Sequence, residues 1–360
     1  MNIIKSSEII SDGNNSKSIR IMCNLWSQIV LKRNFDIPRS FEDYKKFGSF
    51  TTPHIDINGE EWFFNNKSQL KLRHFVDLLY SIPEICCFVS YNCVWKNVKE
   101  GIKDTITSNE EKQISFQQRL ELIINKIFSE VQSYEFYWVV EGINLMDISE
   151  FTIGDSTFFL FKDEHYNSFK NEPDVNNFYC KAVVPFLDKN FANKVVVRCR
   201  ALGEKDHAEV LAREKVEESI NFIRFMFCYI NAKNIFNSKW RVYYDVMKIQ
   251  ESGCFINRKI DDNNTTLAYS STRSSHYNFP ISKETVSIWE TCYFLDDLSA
   301  IMQANNRTEY EDAILTAIHW IGEAQHEWVA DVAFWKYWTA IESLIPPNKN
   351  KVTEALEKKI

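Results

Sequence analysis

The sequence lacks the short motifs that identify several common enzyme classes. It contains no Gly-rich phosphate-binding loop, no G-x-S-x-G nucleophile motif and no paired acidic motif of the nuclease type. The first two motifs hold a phosphate or a nucleophilic serine at the start of a helix. The sequence therefore gives no support for a P-loop enzyme, an α/β-hydrolase or a nuclease of that acidic type.

Long apolar runs and a secretory signal are also missing. The longest apolar runs, residues 85–95 and 222–230, are interrupted by Asn92 and Arg224 and are too short to cross a bilayer. Residues 1–18 are polar and lack the apolar core of a signal peptide. The nine cysteines include no C-x-x-C pair, and no histidine lies beside them at metal-ligand spacing. We therefore expect a cytoplasmic protein with reduced cysteines and no membrane partner.

The chain has no excess of basic residues. Its net charge is −7 and its pI is about 5.6, which argues against a basic surface built for nucleic acid but still allows a local basic patch. Hydrophobic residues make up 45% of the 360 residues and aromatic residues 14%, as in globular proteins rather than disordered ones. This length predicts two or three domains.

Hydrophobic periodicity divides the chain into three predicted regions. Residues 1–114 form a mixed N-terminal region, residues 115–278 an α+β domain with a possible sensing or regulatory role, and residues 279–360 a helical region. The predicted fold class is α+β, with mixed α/β N-terminal and middle regions followed by an all-α C-terminal region.

The apolar spacing also predicts individual elements. Ser115 is a candidate N-cap, and short strands and loops are expected between residues 36 and 61. The polar stretch 249–275 is expected to be an exposed hairpin or loop, with a domain boundary near Asn278. The predicted helices are 19–32, 67–80, 115–132, 206–231, 283–303, 310–327 and 328–344, and the predicted strands are 134–143, 152–161 and 194–202.

Three side chains near the C-terminus have a spacing that can bind a metal ion. His319, Glu323 and His326 lie at i, i+4 and i+7 of one predicted helix. They lie at about 120° to 180° from the predicted core stripe, and so we interpret them as a solvated polar face that binds no metal. The predicted core stripe is Ile314, Ala317, Ile318, Ile321 and Gln325.

Two other sets of residues are interpreted as structural. Arg200 and His207 are separated by six residues, but Arg200 ends a predicted strand and Gly203 interrupts the segment before the next helix. We interpret them as polar residues at a strand end. Four tryptophans are expected to be core or interface residues rather than a platform for stacked bases. They are Trp320, Trp328, Trp335 and Trp338.

One acidic side chain stands in a strongly apolar segment. On a helix, Glu342 shares a stripe with Asp331, Trp335, Trp338 and Ile345. An unpaired carboxylate on a buried apolar face would carry a large desolvation cost. Glu342 is therefore expected to have a partner, to be protonated or to line a site.

The segment 313–347 carries two spaced motifs. It contains A-I-x-W-x-x-x-A and then a helix that ends in A-x-E-S-L before two prolines. The segment resembles the opening helices of HEPN domains, of the Apea-like type found in phage-defence proteins. The matching residues are Ala317, Ile318, Trp320 and Ala324, then Trp338, Ala340, Glu342, Ser343 and Leu344.

This resemblance implies a metal-independent endoribonuclease that acts as a homodimer on RNA and needs no cofactor. A phage-derived trigger at the N-terminal region is expected, and the sequence leaves open whether that region recognises a phage protein, a nucleic acid or a small molecule. HEPN domains carry an arginine and, about four to six residues later, a histidine, late in the helical bundle; the arginine stabilises charge on the scissile phosphate and the histidine moves a proton. By resemblance, Glu342 has a supporting catalytic role beside that arginine.

The chain departs from the HEPN pattern at its end. Eighteen residues follow Glu342, and none of them is arginine or histidine. We expect the chain to be an N-terminal fragment of a longer nuclease and to be inactive alone; the alternative is a family member without the catalytic half. The rival function is a non-catalytic binding or dimerisation module.

Overall fold

The structure, a computed structural model, has the predicted mixed α+β fold with a helical C-terminal region. The chain divides into two units, residues 1–133 with 202–208 and residues 134–201 with 209–360. The structure describes residues 9–10, 15–31, 35–37, 54–57, 59–107, 114–162, 165, 191–231, 248–249, 255–259, 265–268, 279–304, 306–325, 327 and 329–345.

The first unit combines helices with a small antiparallel sheet. Its strands lie in the order β1-β3-β2, and His54 in β2 pairs with Phe63 in β3. The strands are β1 (Phe35–Asp36), β2 (His54–Ile57) and β3 (Glu60–Phe64), and the helices are α1 (Ser16–Ile29), α2 (Asn66–Tyr80), α3 (Pro83–Cys86), α4 (Tyr91–Thr107) and α5 (Phe116–Ser129).

Local sequence chemistry explains where two of these helices begin. The Asn65 side chain accepts a hydrogen bond from the Ser68 backbone N–H at the start of α2. At the start of α5, Ser115 and Gln118 form a capping box, as expected from the position of Ser115. The apolar faces of α1 and α2 meet inside the unit, where the rings of Trp26 and Phe75 lie 5.4 Å apart.

The second unit is built on one large sheet. The strand order is β11-β10-β4-β8-β7-β6, with β9 also paired to β4. The strands are β4 (Gln132–Glu141), β5 (Ile143–Leu145), β6 (Glu150–Ile153), β7 (Ser156–Leu160), β8 (Val195–Gly203), β9 (Lys248–Ile249), β10 (Phe255–Lys259), β11 (Thr265–Ala268) and β12 (Phe279–Ile281), and the helices are α6 (Lys205–Asn231), α7 (Lys283–Cys292), α8 (Leu295–Gln303), α9 (Glu309–Gln325) and α10 (Ala330–Ser343).

Helix α6 packs on one face of this sheet. Ala212, Val216 and Ile220 recur at four-residue spacing and are all buried. The Ser219 hydroxyl donates a 3.1 Å hydrogen bond to the carbonyl oxygen of Ile153 in β6. This packing explains the long amphipathic helix that the sequence predicts at 206–231.

The C-terminal helices belong to the same unit as the sheet. The turn between β6 and β7 places Gly154 at φ +54°, and its N–H donates to the Ser299 hydroxyl of α8 at 3.2 Å. The Gln303 amide donates back to the Gly154 carbonyl oxygen at 2.7 Å. These two hydrogen bonds join α8 to the β6–β7 turn of the sheet. The predicted division into 1–114, 115–278 and 279–360 stays a prediction.

Two helical segments differ from the prediction. Helix α4 was not predicted, although Val94, Val98 and Ile102 are buried along one of its faces. The predicted helix 283–303 is two helices, separated at Phe294, whose φ of +55° is incompatible with a continuous helix.

The polar stretch 249–275 contains the predicted hairpin, but the hairpin extends the central sheet. Strands β10 and β11 are antiparallel, and Ile256 of β10 pairs with Tyr137 of β4. The predicted boundary near Asn278 lies outside the described residues. Immediately after it, Phe279 in β12 pairs in parallel with Ile143 in β5.

Candidate functional site

Helix α10 has its apolar side facing outwards. The residues that are partly covered are small or polar, namely Ala333, Lys336, Thr339 and Ser343, and Ala340 is buried. The opposite side exposes large side chains, which we call the aromatic face: Phe334, Trp335, Tyr337, Trp338, Ile341 and Leu344. Trp335 and Trp338 were expected to be core or interface residues, and the described part of the chain does not place them in a core.

The inward side of α10 is fixed by one lysine. The Lys336 ammonium donates to the Glu323 carbonyl oxygen at 3.4 Å and forms ion pairs with Glu323 at 3.6 Å and Glu327 at 3.1 Å. All of these partners lie in or just after α9. Lys336 and the aromatic residues lie on opposite sides of α10. Because Lys336 contacts α9, the aromatic side of α10 is directed away from α9.

Glu342 lies on the exposed side of α10. Its Oε1 accepts a 2.7 Å hydrogen bond from the indole Nε1 of Trp338, one helical turn earlier. Its partner is thus a neutral donor, and its carboxylate remains exposed. Of the three expectations for Glu342, the structure provides a partner; its supporting catalytic role stays a prediction.

A polar network joins α6, α9 and α10. Arg224 of α6 is 2% exposed, donates to the Asn221 side-chain oxygen at 2.7 Å and lies 3.6 Å from the Glu323 carboxylate. Asn221 also contacts Nδ1 of His319 at 3.0 Å. Burial lowers the pKa of Arg224, and the nearby carboxylates of Glu217 and Glu323 oppose this effect.

The network corrects one interpretation of α9. His319 and Glu323 were expected on a purely solvated face, but both contact α6, although the His319 ring remains exposed. His326 lies outside the described residues. Within the described ranges, no three His, Cys, Asp or Glu side chains converge as a metal-ligand set. The predicted core stripe is also wider than expected, because Leu315, Gly322 and Ala324 are buried while Ile314 is exposed.

A close contact between α6 and α9 supports this network. A Cβ atom added to Gly322 would lie 2.5 Å from the Asn221 side-chain oxygen and 2.9 Å from its Cα. Only glycine therefore lets α9 approach α6 closely enough for Asn221 to reach His319. The sequence offered one signal for this contact, a glycine inside an otherwise helical pattern.

Arg200 and His207 each have a structural partner. Arg200 lies within β8, and its Nε donates to Oε1 of the buried Glu135 at 2.8 Å. His207 lies in the other unit, where its Nε2 is 3.1 Å from the Cys87 carbonyl oxygen. Arg200 and His207 therefore have separate partners, which agrees with their interpretation as structural residues.

Glu135 itself was not noticed in the sequence. It accepts hydrogen bonds from Arg200 and from the Tyr137 hydroxyl, and Arg198 lies 3.8 Å away. The available signal was an acidic residue inside the apolar strand Y-E-F-Y-W, the same kind of signal that identified Glu342.

The first unit has a lysine-lined pocket of about 240 Å³ between β2 and α4. Lys99 donates to the His54 carbonyl oxygen at 3.3 Å, and Lys103 lies 3.9 Å from Asp56. Burial lowers the pKa of Lys99. Because Lys99 and Lys103 contact β2 and the third lysine, Lys96, lies 3.5 Å from Glu130, we interpret this pocket as structural.

Comparison with protein-family models, with curated proteins and with solved structures finds no match to this chain. None of the helices in the described ranges combines the length and the apolar character needed to span a bilayer. Six cysteines are free thiols, namely Cys23, Cys86, Cys87, Cys93, Cys199 and Cys292. The function must therefore be argued from the geometry of the chain itself.

Proposed function

We propose that the α9–α10 hairpin is an assembly element and that the chain pairs with a second copy of itself through the aromatic face of α10. The observation that supports this proposal is the outward direction of that face, with Trp335 64% exposed and Phe334 59% exposed. Large exposed apolar patches are typical of interaction sites in soluble proteins. The chain would work in this way in the cytoplasm.

The size of the face fits an interface between two proteins. Tyr337 and Trp338 are 39% and 38% exposed. If an aromatic side chain offers roughly 150–250 Å², these two and the residues named above leave roughly 400 Å² of aromatic surface open. A standard interface buries roughly 800 Å² on each partner, with aromatic side chains at its centre. Ile341, Leu344 and the surrounding polar side chains would supply the remainder.

The oligomeric state tests this proposal directly. Analytical ultracentrifugation of the wild-type chain should give a dimer at micromolar concentration, and Trp335→Glu should give a monomer. The matched control is Leu70→Glu, which places the same charge on an equally exposed apolar residue of α2 in the other unit. Leu70→Glu should remain dimeric. Circular dichroism should be unchanged in both variants, because neither side chain is buried.

Two results would reject assembly through α10. One is a wild-type chain that stays monomeric across the micromolar range. The other is a dimer that Trp335→Glu and Leu70→Glu weaken equally, because a general effect of added charge would then explain the loss.

A second candidate function is a HEPN-type, metal-independent endoribonuclease that cleaves RNA in defence against phage, with the upstream region sensing a phage-derived trigger. The observation that favours it is the position of Glu342 on the exposed side of α10. A two-fold pairing through the aromatic face would bring the two copies of Glu342 to one interface. Both proposals therefore use the same surface of α10.

Cleavage assays in EDTA separate the two functions. Because no arginine or histidine follows Glu342, the 360-residue chain should leave RNA intact. A longer chain that supplies these two residues should cleave RNA without metal, and Glu342→Gln should slow that reaction. Cleavage by the present chain that is lost in Arg200→Ala or His207→Ala would instead locate the active site in the α+β region.

A further inference from the structure

Two arginines of β8, one half-buried and one exposed, lie on the face of the large sheet that α6 does not cover. In β8, Cys199 is buried and pairs with Ser156, whose hydroxyl lies 3.5 Å from the Lys215 carbonyl oxygen of α6. Side chains alternate between the two faces of a strand. Arg198 and Arg200, which we call the arginine pair, are therefore directed to the opposite face.

Both arginines lie close to one carboxylate oxygen of the buried Glu135. Oε1 of Glu135 accepts from Nε of Arg200 at 2.8 Å and lies 3.8 Å from Nε of Arg198. The Tyr137 hydroxyl donates to the other oxygen of Glu135. Both Nε groups lie within ion-pair distance of the same carboxylate oxygen. The side chains of Arg200 and Arg198 are 65% and 38% exposed, so part of each is open to solvent.

The cluster carries more positive charge than its carboxylate neutralises. Glu135 carries one negative charge, whereas the two arginines beside it carry two positive charges. A third arginine, Arg258, occupies the register position directly opposite Glu135 in β10. Within the described residues, the arginine pair has no hydrogen bond other than the one from Arg200 to Glu135. Among the described residues, one positive charge of the arginine pair is therefore left without a carboxylate.

We propose that the arginine pair binds a phosphate group of a small phosphorylated molecule. Guanidinium groups bind phosphate oxygens through two parallel N–H donors, and the carboxylate of Glu135 orients both groups in advance. A small ligand fits better than a nucleic acid, because the chain has a net charge of −7 and polyanions need many phosphate contacts. In this arrangement Glu135 is a positioning residue and the arginines are the binding residues.

Calorimetric titration of the full chain tests this site with three probes, namely inorganic phosphate, pyrophosphate and a nucleoside triphosphate. We expect binding of pyrophosphate or of the triphosphate, weakened at least about tenfold in Arg200→Gln and Arg198→Gln. Glutamine keeps an N–H donor for Glu135, so the fold should survive. Arg213→Gln, on the exposed side of α6, makes the same change in charge and should alter the affinity less than about twofold.

The probes also distinguish the sources of the phosphate. Equal affinity for pyrophosphate and the triphosphate would assign the site to phosphate alone, and tighter binding of the triphosphate would show that the nucleoside contributes. The proposal is overturned if no probe binds at millimolar concentration, or if Arg213→Gln weakens binding as much as Arg200→Gln. Tighter binding of single-stranded RNA than of the triphosphate, lost in Arg200→Gln, would also overturn it in favour of a nucleic-acid site.

Discussion

The indole Nε1 of Trp338 donates a 2.7 Å hydrogen bond to the carboxylate of Glu342 one helical turn later. Both residues are exposed, on the side of α10 that carries the aromatic face. An acidic residue can occupy this otherwise apolar stripe at little cost, because its carboxylate keeps contact with water and has a donor beside it. If α10 pairs with a second copy, this hydrogen bond enters the interface.

Trp338→Phe should therefore affect assembly more than folding. The phenyl ring keeps most of the apolar surface but removes the only donor that the described residues supply to Glu342. For an exposed hydrogen bond we expect a loss of less than about 1 kcal/mol in the free energy of unfolding. The dissociation constant of the dimer should rise, because Glu342 would be desolvated without a partner. Chemical denaturation and sedimentation measure the two quantities, and a larger effect on unfolding than on assembly would contradict this prediction.

Arg224 should be important for stability, because it is the most buried member of the network that joins α6, α9 and α10. Arg224→Ala should lower the free energy of unfolding by roughly 3 kcal/mol, since it removes a buried cation from Asn221 and Glu323. Arg213→Ala, on the exposed side of the same helix, should change it by less than about 0.5 kcal/mol. Urea unfolding of both variants provides the measurement. Equal effects would show that the network adds no stability.

Replacing Gly322 with alanine should destabilise the folded protein. In an open helix, Gly→Ala adds about 1 kcal/mol of stability. Here the new methyl group would meet the backbone and side chain of Asn221, and so Gly322→Ala should instead cost about 1–3 kcal/mol. Thr316→Ala, on the exposed side of α9, should stabilise the protein slightly. Thermal denaturation tests the opposite signs, and stabilisation by both changes would refute the close contact between α6 and α9.

The raised pKa of Glu218 should make the stability of the protein depend on pH. Burial raises its pKa above the ordinary value of 4.5, although Arg307 opposes this shift. Because the folded state holds the proton more tightly than the unfolded state, the Glu218 contribution is most favourable at low pH. It is lost as the pH rises through 4.5 towards the raised pKa.

Glu218→Gln removes this titration. The variant should therefore gain stability relative to the wild type as the pH rises from acid to neutral. Arg307 should tolerate the change, because it also donates to the carbonyl oxygens of Ile301 and Met302. Glu290→Gln, which removes one carboxylate from an exposed position of α7, is the control for the change in charge. A constant difference between Glu218→Gln and the wild type at all pH values would contradict this prediction.

Local chemistry made several elements predictable from the sequence. The start of α5 follows from Ser115 and its capping partner Gln118, which lie three residues apart. Helix α6 follows from the regular spacing of its apolar residues. Helix α4 was missed because its first turn lies in an apolar run shared with the short helix α3, which obscures the helical period.

The candidate sites depend on contacts that no local pattern contains. Arg200 and Glu135 are 65 residues apart in the chain, and Asn221 and His319 are 98 residues apart. The orientation of α10 also could not be predicted from the sequence. Hydrophobicity favoured burial of its aromatic side, whereas the small residues Ala333 and Ala340 allow the opposite side to pack closely against α9.

The cysteines should separate into two classes of reactivity. Burial raises the pKa of Cys93 in α4 to about 12 and that of Cys199 in β8 to about 11. At pH 8 a thiol with a pKa of about 12 holds about one thiolate in 10⁴ molecules, and the thiolate is the reactive form. Cys23, Cys87 and Cys292 are exposed and open to reagent. Iodoacetamide should therefore label these three in the native protein, and Cys93 and Cys199 only after denaturant is added.

Peptide mass spectrometry after timed labelling resolves each site separately. The two protected cysteines lie in different units, Cys93 in the core of the first and Cys199 between the large sheet and α6. Native labelling of one but not the other would mean that the unit around the labelled cysteine opens without the other. Labelling of both at the rate of Cys23 would contradict the packing of α4 and of α6, because a thiol reaches the reagent only when its covering helix moves away.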